Sequence, residues 1–531
     1  MAANPHATAR AAGTVSVLAL LSPLAGLAVE LALAWRFGAS DTVDAFRIGA
    51  LLLLFGQQLF VQQILPHALV PVFSEYRALG QEQQGWRVAQ SLANLLVYPA
   101  ALVALLFVLH PRPLIELLAP GLTGEARAAA TLFLRCFLPA CALMVWSGVA
   151  TGVLYAYRIF WLPPAVQLAG NIVMIVLILA LGRTLGPSSL ILGVWLATLL
   201  GLALYLAQLA PLMRQAGARF TWSFEWKHPG VRKALGLALP LLGTFLLSQW
   251  IAVVVNRAVS VLPPGNLATF GYAWKLGQLA FLAPLSLAIV LFPRFADARV
   301  SSSEAEFRDL CTRALRMALF VTVPPTCLVY ALRSPLVALL FERGAFNAEA
   351  TQAVSQLFGL TLLGTPAAVI AVYLDKIFYA RQQMWVPTWA RGISAVLLAA
   401  LAPPFAARLE AEGVALLLSA LSCLTVAVLF SVLAYRARVF CFRKLASFAA
   451  YVLALAVATT WLGVHAGLVL GRVAKLPSFP LELTTAAGMA VGALLFFAVS
   501  LGFEVPEARE CSRYLRWRTA TMFRRHDAAR G

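Results

Sequence analysis

Apolar residues along this chain come in long runs, broken by short stretches rich in Arg, Gly, Pro and acids. A helix needs roughly 20 predominantly apolar residues to cross a hydrocarbon core. That pattern predicts membrane spans over 14–37, 46–74, 88–110, 128–155, 162–181 and 190–213, then over 234–261, 267–292, 315–332, 354–380, 386–407 and 414–435, with two more over 445–470 and 483–503. The first run is too long for a signal-peptide core and has no convincing cleavage site, so it is expected to stay as a span. The expected fold is an all-α polytopic membrane protein of about 14 transmembrane helices, two pseudo-symmetric six-helix lobes plus two C-terminal helices. By residue number this gives a cytoplasmic N-terminus (1–13), an N-lobe (14–213), a linker (214–233), a C-lobe (234–435), two further spans (436–503) and a basic tail (504–531).

A duplication underlies the two lobes. Tyr155-Ala156, Trp161 and Pro163 recur as Tyr379-Ala380, Trp385 and Pro387, each 224 residues later. Pro71, Phe73, Glu75 and Arg77 match Pro293, Phe295, Asp297 and Arg299 at an offset of 222. Pro23 and Gly26 in the first span are echoed by Pro240 and Gly243 in the seventh, 217 residues on, and both pairs are candidate hinges. Repeats of this kind, with a site between the halves, are the architecture of transporters.

Composition agrees and narrows the class. Of 531 residues 61% are hydrophobic and 12% charged, against about 25% charged in soluble domains. A net charge of +19 would suggest nucleic acid in a soluble protein. Here Arg77, Arg87, Arg158, the cluster Arg214, Arg219, Lys227, Arg232 and Lys233, then Arg294, Arg299, Arg381, Arg436, Arg438, Arg443 and Lys444 follow even-numbered spans. Loops after odd-numbered spans are poorer in bases and carry Asp41, Asp44, Glu342, Glu349, Glu410 and Glu412. Both termini are therefore predicted cytoplasmic, with no nucleic-acid partner. Arg509, Arg513 and Arg516, among Leu515, Trp517 and Met522, predict a basic helix lying on anionic lipid.

Enzyme signatures are missing. The seven cysteines show no CxxC spacing and the six histidines no HExxH pair, so neither a metal site nor a disulfide framework is expected. There is no Walker-type loop and no GxGxxG strand-to-helix signature, hence no expected cofactor.

Ionisable groups within the spans are the candidate site, because each is costly in hydrocarbon unless it faces a wet cavity or a partner. Lys275 lies eight residues past the start of its span, roughly 12 Å deep at 1.5 Å per residue. It reads as a cavity cation or as a snorkelling lysine. Glu30 reads as its counter-ion or as a partly wet helix end near Arg36. Asp44 reads locally as the cap of the second helix with Arg47 as its ion partner, and both stand with Lys275, Glu30, Gln57 and Arg257 as candidate substrate-binding residues of the cavity. Arg257 sits near the outer end of the seventh span, and Asp375 and Lys376 lie within two turns of Arg381, as interfacial charges do. Gln57, Gln58, Gln62 and Gln63 form a polar stripe, with 58 and 62 on one face, that lines water or packs by hydrogen bonds between helices.

The chain resembles the MurJ/MviN family of lipid II flippases, in the multidrug/oligosaccharidyl-lipid/polysaccharide exporter superfamily. The resemblance rests on Ser22 and Gly26, on Phe37-Gly38-Ala39 with Asp44-Ala45-Phe46, and on Val70-Pro71. In the second half it rests on Leu340-Phe341-Glu342-Arg343-Gly344-Ala345-Phe346 with Thr351, and on Phe378-Tyr379-Ala380-Arg381-Gln382. It implies a V-shaped cavity between the lobes, a groove made with the last two spans for a polyprenyl tail, and alternating access driven by membrane potential or ions. It also implies a polyprenyl-diphosphate-linked saccharide as substrate, membrane lipids and enzymes of cell-wall or polysaccharide synthesis as partners, and a bacterial inner-membrane location. Its members hold the diphosphate with basic residues in the first, second and eighth spans. Here the first-span positions read Pro23 and Val29, the second-span position reads Gln57, and only Lys275 stays basic, while Glu30 and Asp44 keep acidic character. The expected function is therefore a non-enzymatic lipid II flippase. A flippase for another polyprenyl-linked glycan, a cation-coupled exporter of small amphiphiles, and a scaffold that has lost transport are the alternatives.

Overall fold

In hydrocarbon only the chain itself can satisfy backbone N–H and C=O groups, so apolar runs of this length fold as helices. The computed structural model describes residues 5–222, 224–280, 304–381, 383, 385–435, 442–473 and 481–502, and all regular structure among them is helical. The elements are α1 (Pro5–Phe37), α2 (Asp41–Gly56), a π-helical stretch (Gln57–Gln63), α3 (Ile64–Ala78), α4 (Glu82–Leu109), α5 (Arg112–Leu118), α6 (Gly124–Ala156), α7 (Leu162–Leu181) and α8 (Ser188–Gln215). They continue with α9 (Pro229–Ser260), α10 (Asn266–Ala280), α11 (Glu304–Ala331), α12 (Arg333–Phe341), α13 (Ala348–Ala380), α14 (Trp385–Tyr435), α15 (Phe442–Val473) and α16 (Leu481–Gly502).

Ten helical stretches among the described residues are long and apolar enough to cross a membrane. The expected 14 are not all accounted for there. One of the ten, α14, covers two predicted spans, 386–407 and 414–435, which part where Glu410 takes φ 52° and ψ −144°. The second half of the predicted eighth span lies outside the described residues, as do the repeat at Pro293 to Arg299 and the basic tail.

The other repeat falls at matching places in the helix order. Tyr155 and Tyr379 each sit one residue before the end of a 33-residue helix, α6 and α13. Trp161 and Trp385 stand where the following helices begin, and Pro163 is in the first turn of α7. A proline is cheap there, because the N–H it lacks would have no intrahelical partner.

The chain forms two compact units, Met1–Lys275 with Phe341–Ala350 and Leu398–Val414, and Leu276–Leu340 with Thr351–Leu397 and Ala415–Gly531. The first is cored by Leu69, Phe73, Trp86 and Val149, with Phe73 and Trp86 edge to face at 5.7 Å. Close approach in this unit depends on Gly148 of α6, where a Cβ would lie 2.2 Å from the Phe60 carbonyl oxygen of the π-helical stretch. Small residues at such contacts let membrane helices touch backbone to backbone. The linker before α9 is strapped to the same unit. Gln90 donates to the Arg219 carbonyl and accepts from the Thr221 N–H, while Phe220 packs on Trp146 and Phe224 on Tyr98. The second unit is cored by Phe307, Tyr373 and Phe378, with Phe320 on Phe496.

Candidate functional site

Pro23 lies inside α1 and removes one backbone hydrogen bond from that turn. Residues of α7 brace the place. The Ser22 hydroxyl is 2.8 Å from the Leu18 carbonyl of its own helix and 3.0 Å from the Pro164 carbonyl, and the Asn171 amide donates to the Ser22 carbonyl at 3.2 Å. One turn on, Gly26 exposes bare backbone to Lys275 of α10. A Cβ built at Gly26 would be 3.1 Å from Lys275 Nζ and 3.8 Å from Asn171 Nδ2. The ammonium thus rests on α1 beside the proline turn, half-buried, with no hydrogen bond or ion pair among the described residues.

Glu30 does not serve Lys275. It pairs with Arg47 of α2 at 2.8 Å, and both side chains are less than one-fifth exposed. The Arg47 guanidinium also lies 4.7 Å from the centre of the Tyr272 ring. Tyr272 is fully buried and donates to the Gly38 carbonyl at the end of α1. The Phe341 and Phe346 rings pack around it, which gives the 340–346 motif a local role in enclosing this tyrosine.

Asp44 departs from its expected role. Ser40, not Asp44, precedes the first turn of α2, and the Asp44 carboxylate turns to α10 instead. Oδ2 accepts from the Gly265 N–H at 2.7 Å and Oδ1 from the Ala268 N–H at 2.6 Å. A helix start leaves backbone N–H groups without partners, and here a carboxylate from another helix fills two of them. Arg47 has Glu30 rather than Asp44 as its hydrogen-bonded partner. Partners brought close by the fold displaced the sequence neighbours.

The glutamine stripe is the π-helical stretch itself, in which the Ile64 N–H reaches back five residues to the Leu59 carbonyl. Gln57 and Gln58 are half-buried, Gln62 and Gln63 exposed. Gln58 accepts from Gln249 of α9 at 2.7 Å, an interhelical bond of the expected kind. Such π turns inside α-helices are frequent at functional positions. Arg257 is exposed and donates to the Glu116 and Leu117 carbonyls at 2.9 and 3.2 Å, closing the end of α5. α9 runs unbroken through Pro240 and Gly243, and Gly243 faces open space. In the second unit Asp375 is buried and bonded to Arg391. No group of three or more potential metal ligands occurs among the described residues.

Sequence reasoning did not single out Asn171, Gln249 or Tyr272. The first two carried a usable signal, a side-chain amide within an apolar run; the tyrosine carried none.

Ten helical stretches long and apolar enough to cross a membrane, an ammonium with no partner among the described residues and a charge pair held between helices fit a multi-pass membrane protein of the transporter class. The profile of the family described as "Lipid II flippase MurJ" matches residues 33–476. A probable lipid II flippase MurJ of Rhizobium meliloti is 28% identical over 410 residues, 76% of this chain and 76% of that protein. The lipid II flippase MurJ of Burkholderia cenocepacia is 24% identical over 389 residues, 71% and 74% of the two chains. Among solved structures, a lipid II flippase MurJ in an inward closed conformation superposes with a TM-score of 0.77 at 19% identity, covering 92% of this chain and 99% of that one. An inward-facing multidrug resistance MATE family transporter of the MOP superfamily gives 0.62 at 17% identity, over 80% and 96%. The chain belongs to the lipid II flippase MurJ family.

Proposed function

We propose that this protein moves lipid II, an undecaprenyl-diphosphate-linked saccharide, across the bacterial inner membrane by alternating access, without catalysing a reaction and with both termini in the cytoplasm. The observation that carries the site assignment is the Lys275 ammonium. It has no anionic partner among the described residues, although the nearby Glu30, Arg47 and Asp44 are all engaged. An ammonium at depth without a protein anion is poised for an anionic cargo group, and the substrate diphosphate supplies one. Pro23 and Gly26 sit where the cation meets α1, so cargo binding and bending of that helix would be linked.

The test is complementation of a strain depleted of its lipid II flippase. The unchanged chain restores growth, Lys275→Ala abolishes it at equal protein level, and Lys275→Arg keeps much of it, since arginine supplies the same charge with a better phosphate fork. Loss of one charge-assisted contact contributes about 1.5–3 kcal/mol. Full rescue by Lys275→Ala would refute the role of Lys275. Pro23, Val29 and Gln57, where the family resemblance implies bases, favour a second reading, another polyprenyl-linked glycan as cargo. No rescue by the unchanged chain, with restored export of such a glycan, would select it.

A further inference from the structure

Where α4 ends and α6 begins, the first unit has a pocket of about 740 Å³ that the site above does not use. His110, Arg112, Arg127 and Arg135 line it, and no carboxylate among the described residues does. Arg112 and His110 are exposed, and their side chains make no hydrogen bond or ion pair among the described residues. Arg135 spends only its Nε, on the Val108 carbonyl, and Arg127 pairs at the rim with the well-exposed Glu116. Thr123 places no side-chain cap on α6, so backbone N–H groups of its first turn, with Gly124 in the pocket wall, add to the positive field. Glu125 lies in that turn but outside the lining.

Arg112 and Arg127 follow an odd-numbered span, the side on which bases are otherwise sparse, and Arg135 lies early in the fourth span, so orientation of the chain does not account for them. The surface leading to the pocket is apolar and exposed: Leu102, Leu106 and Leu109 share one face of α4, and Leu132 of α6 is also exposed. A charged pocket at the head of an apolar helix surface matches one kind of ligand, a phosphate carried on acyl chains. We propose that the pocket binds the headgroup of an anionic phospholipid, with its phosphate between Arg112 and Arg135 and its chains along the leucine face.

The experiment uses the purified full chain in neutral detergent, titrated with phosphatidylglycerol or with phosphatidylcholine of the same acyl chains and read by native mass spectrometry. Phosphatidylglycerol is expected to bind in preference. Arg112→Gln with Arg135→Gln is expected to weaken its binding about 30-fold, and the corresponding double lysine variant to keep most of it. Glu116→Gln, which releases Arg127 without touching the pocket wall, is expected to strengthen binding severalfold. The proposal is overturned if the double glutamine variant binds phosphatidylglycerol as well as the unchanged chain does, or if Glu116→Gln gains nothing. It is also overturned if sodium phosphate displaces phosphatidylglycerol at equal concentration, which would mark a site for the free ion.

Discussion

Replacing Asp44 tests whether one carboxylate holds the start of α10. It is 3% exposed and takes both its hydrogen bonds from backbone N–H groups, Gly265 at 2.7 Å and Ala268 at 2.6 Å. A hydrogen bond to a charged group contributes about 1.5–3 kcal/mol, and loss of the acceptor leaves a buried donor unsatisfied. Because the two bonds share one side chain they do not add fully, so Asp44→Ala is expected to cost about 3–5 kcal/mol. Asp44→Asn keeps one acceptor and turns an N–H₂ toward the other donor, so it should lose about half as much. The assay is chemical unfolding of the purified chain in detergent, with amide hydrogen exchange at Gly265 and Ala268 as the local readout. Both amides should exchange on the order of 10- to 100-fold faster in Asp44→Ala. If the two variants unfold like the unchanged chain, or if these amides keep their protection, the capping role is wrong and Asp44 regains its place as a cargo-site candidate.

Three further outcomes are expected. Glu30→Gln or Arg47→Met alone leaves one buried charge unpaired and should cost about 3–5 kcal/mol, whereas the double variant should recover part of it; strictly additive losses in a double-mutant cycle would dissolve the pair. Gly148→Ala should destabilise by about 1–3 kcal/mol through overpacking against the Phe60 carbonyl, while Gly236→Ala, with open space around it, should be near neutral; equal effects would contradict the close contact. Reporter fusions after Arg219 and after Lys444 should read cytoplasmic and one near Pro264 outside; the reverse at either basic cluster would overturn the proposed orientation.

Sequence alone placed many of the long helices among the described residues. The run at 162–181 coincides with α7, and the run at 354–380 ends where α13 does, because a bilayer leaves an apolar segment of that length only one way to satisfy its backbone. The Tyr155/Tyr379 and Trp161/Trp385 spacing was equally legible, since a repeat needs no knowledge of contacts. The depth of Lys275 could be counted in residues, but its place against Gly26 could not. The partners of the charges were decided by tertiary structure. Asp44 looked like the cap of its own helix and instead caps α10, 221 residues away. Arg47 chose Glu30 across helices over an acid three residues off. Even the π-helical stretch, although local, exists beside a glycine of α6 that lets the Phe60 carbonyl approach. Hydrophobic transfer acts on each segment separately and can be read along the chain. Hydrogen bonds and charge pairs at low dielectric depend on distance and direction in space, and only the folded chain sets those.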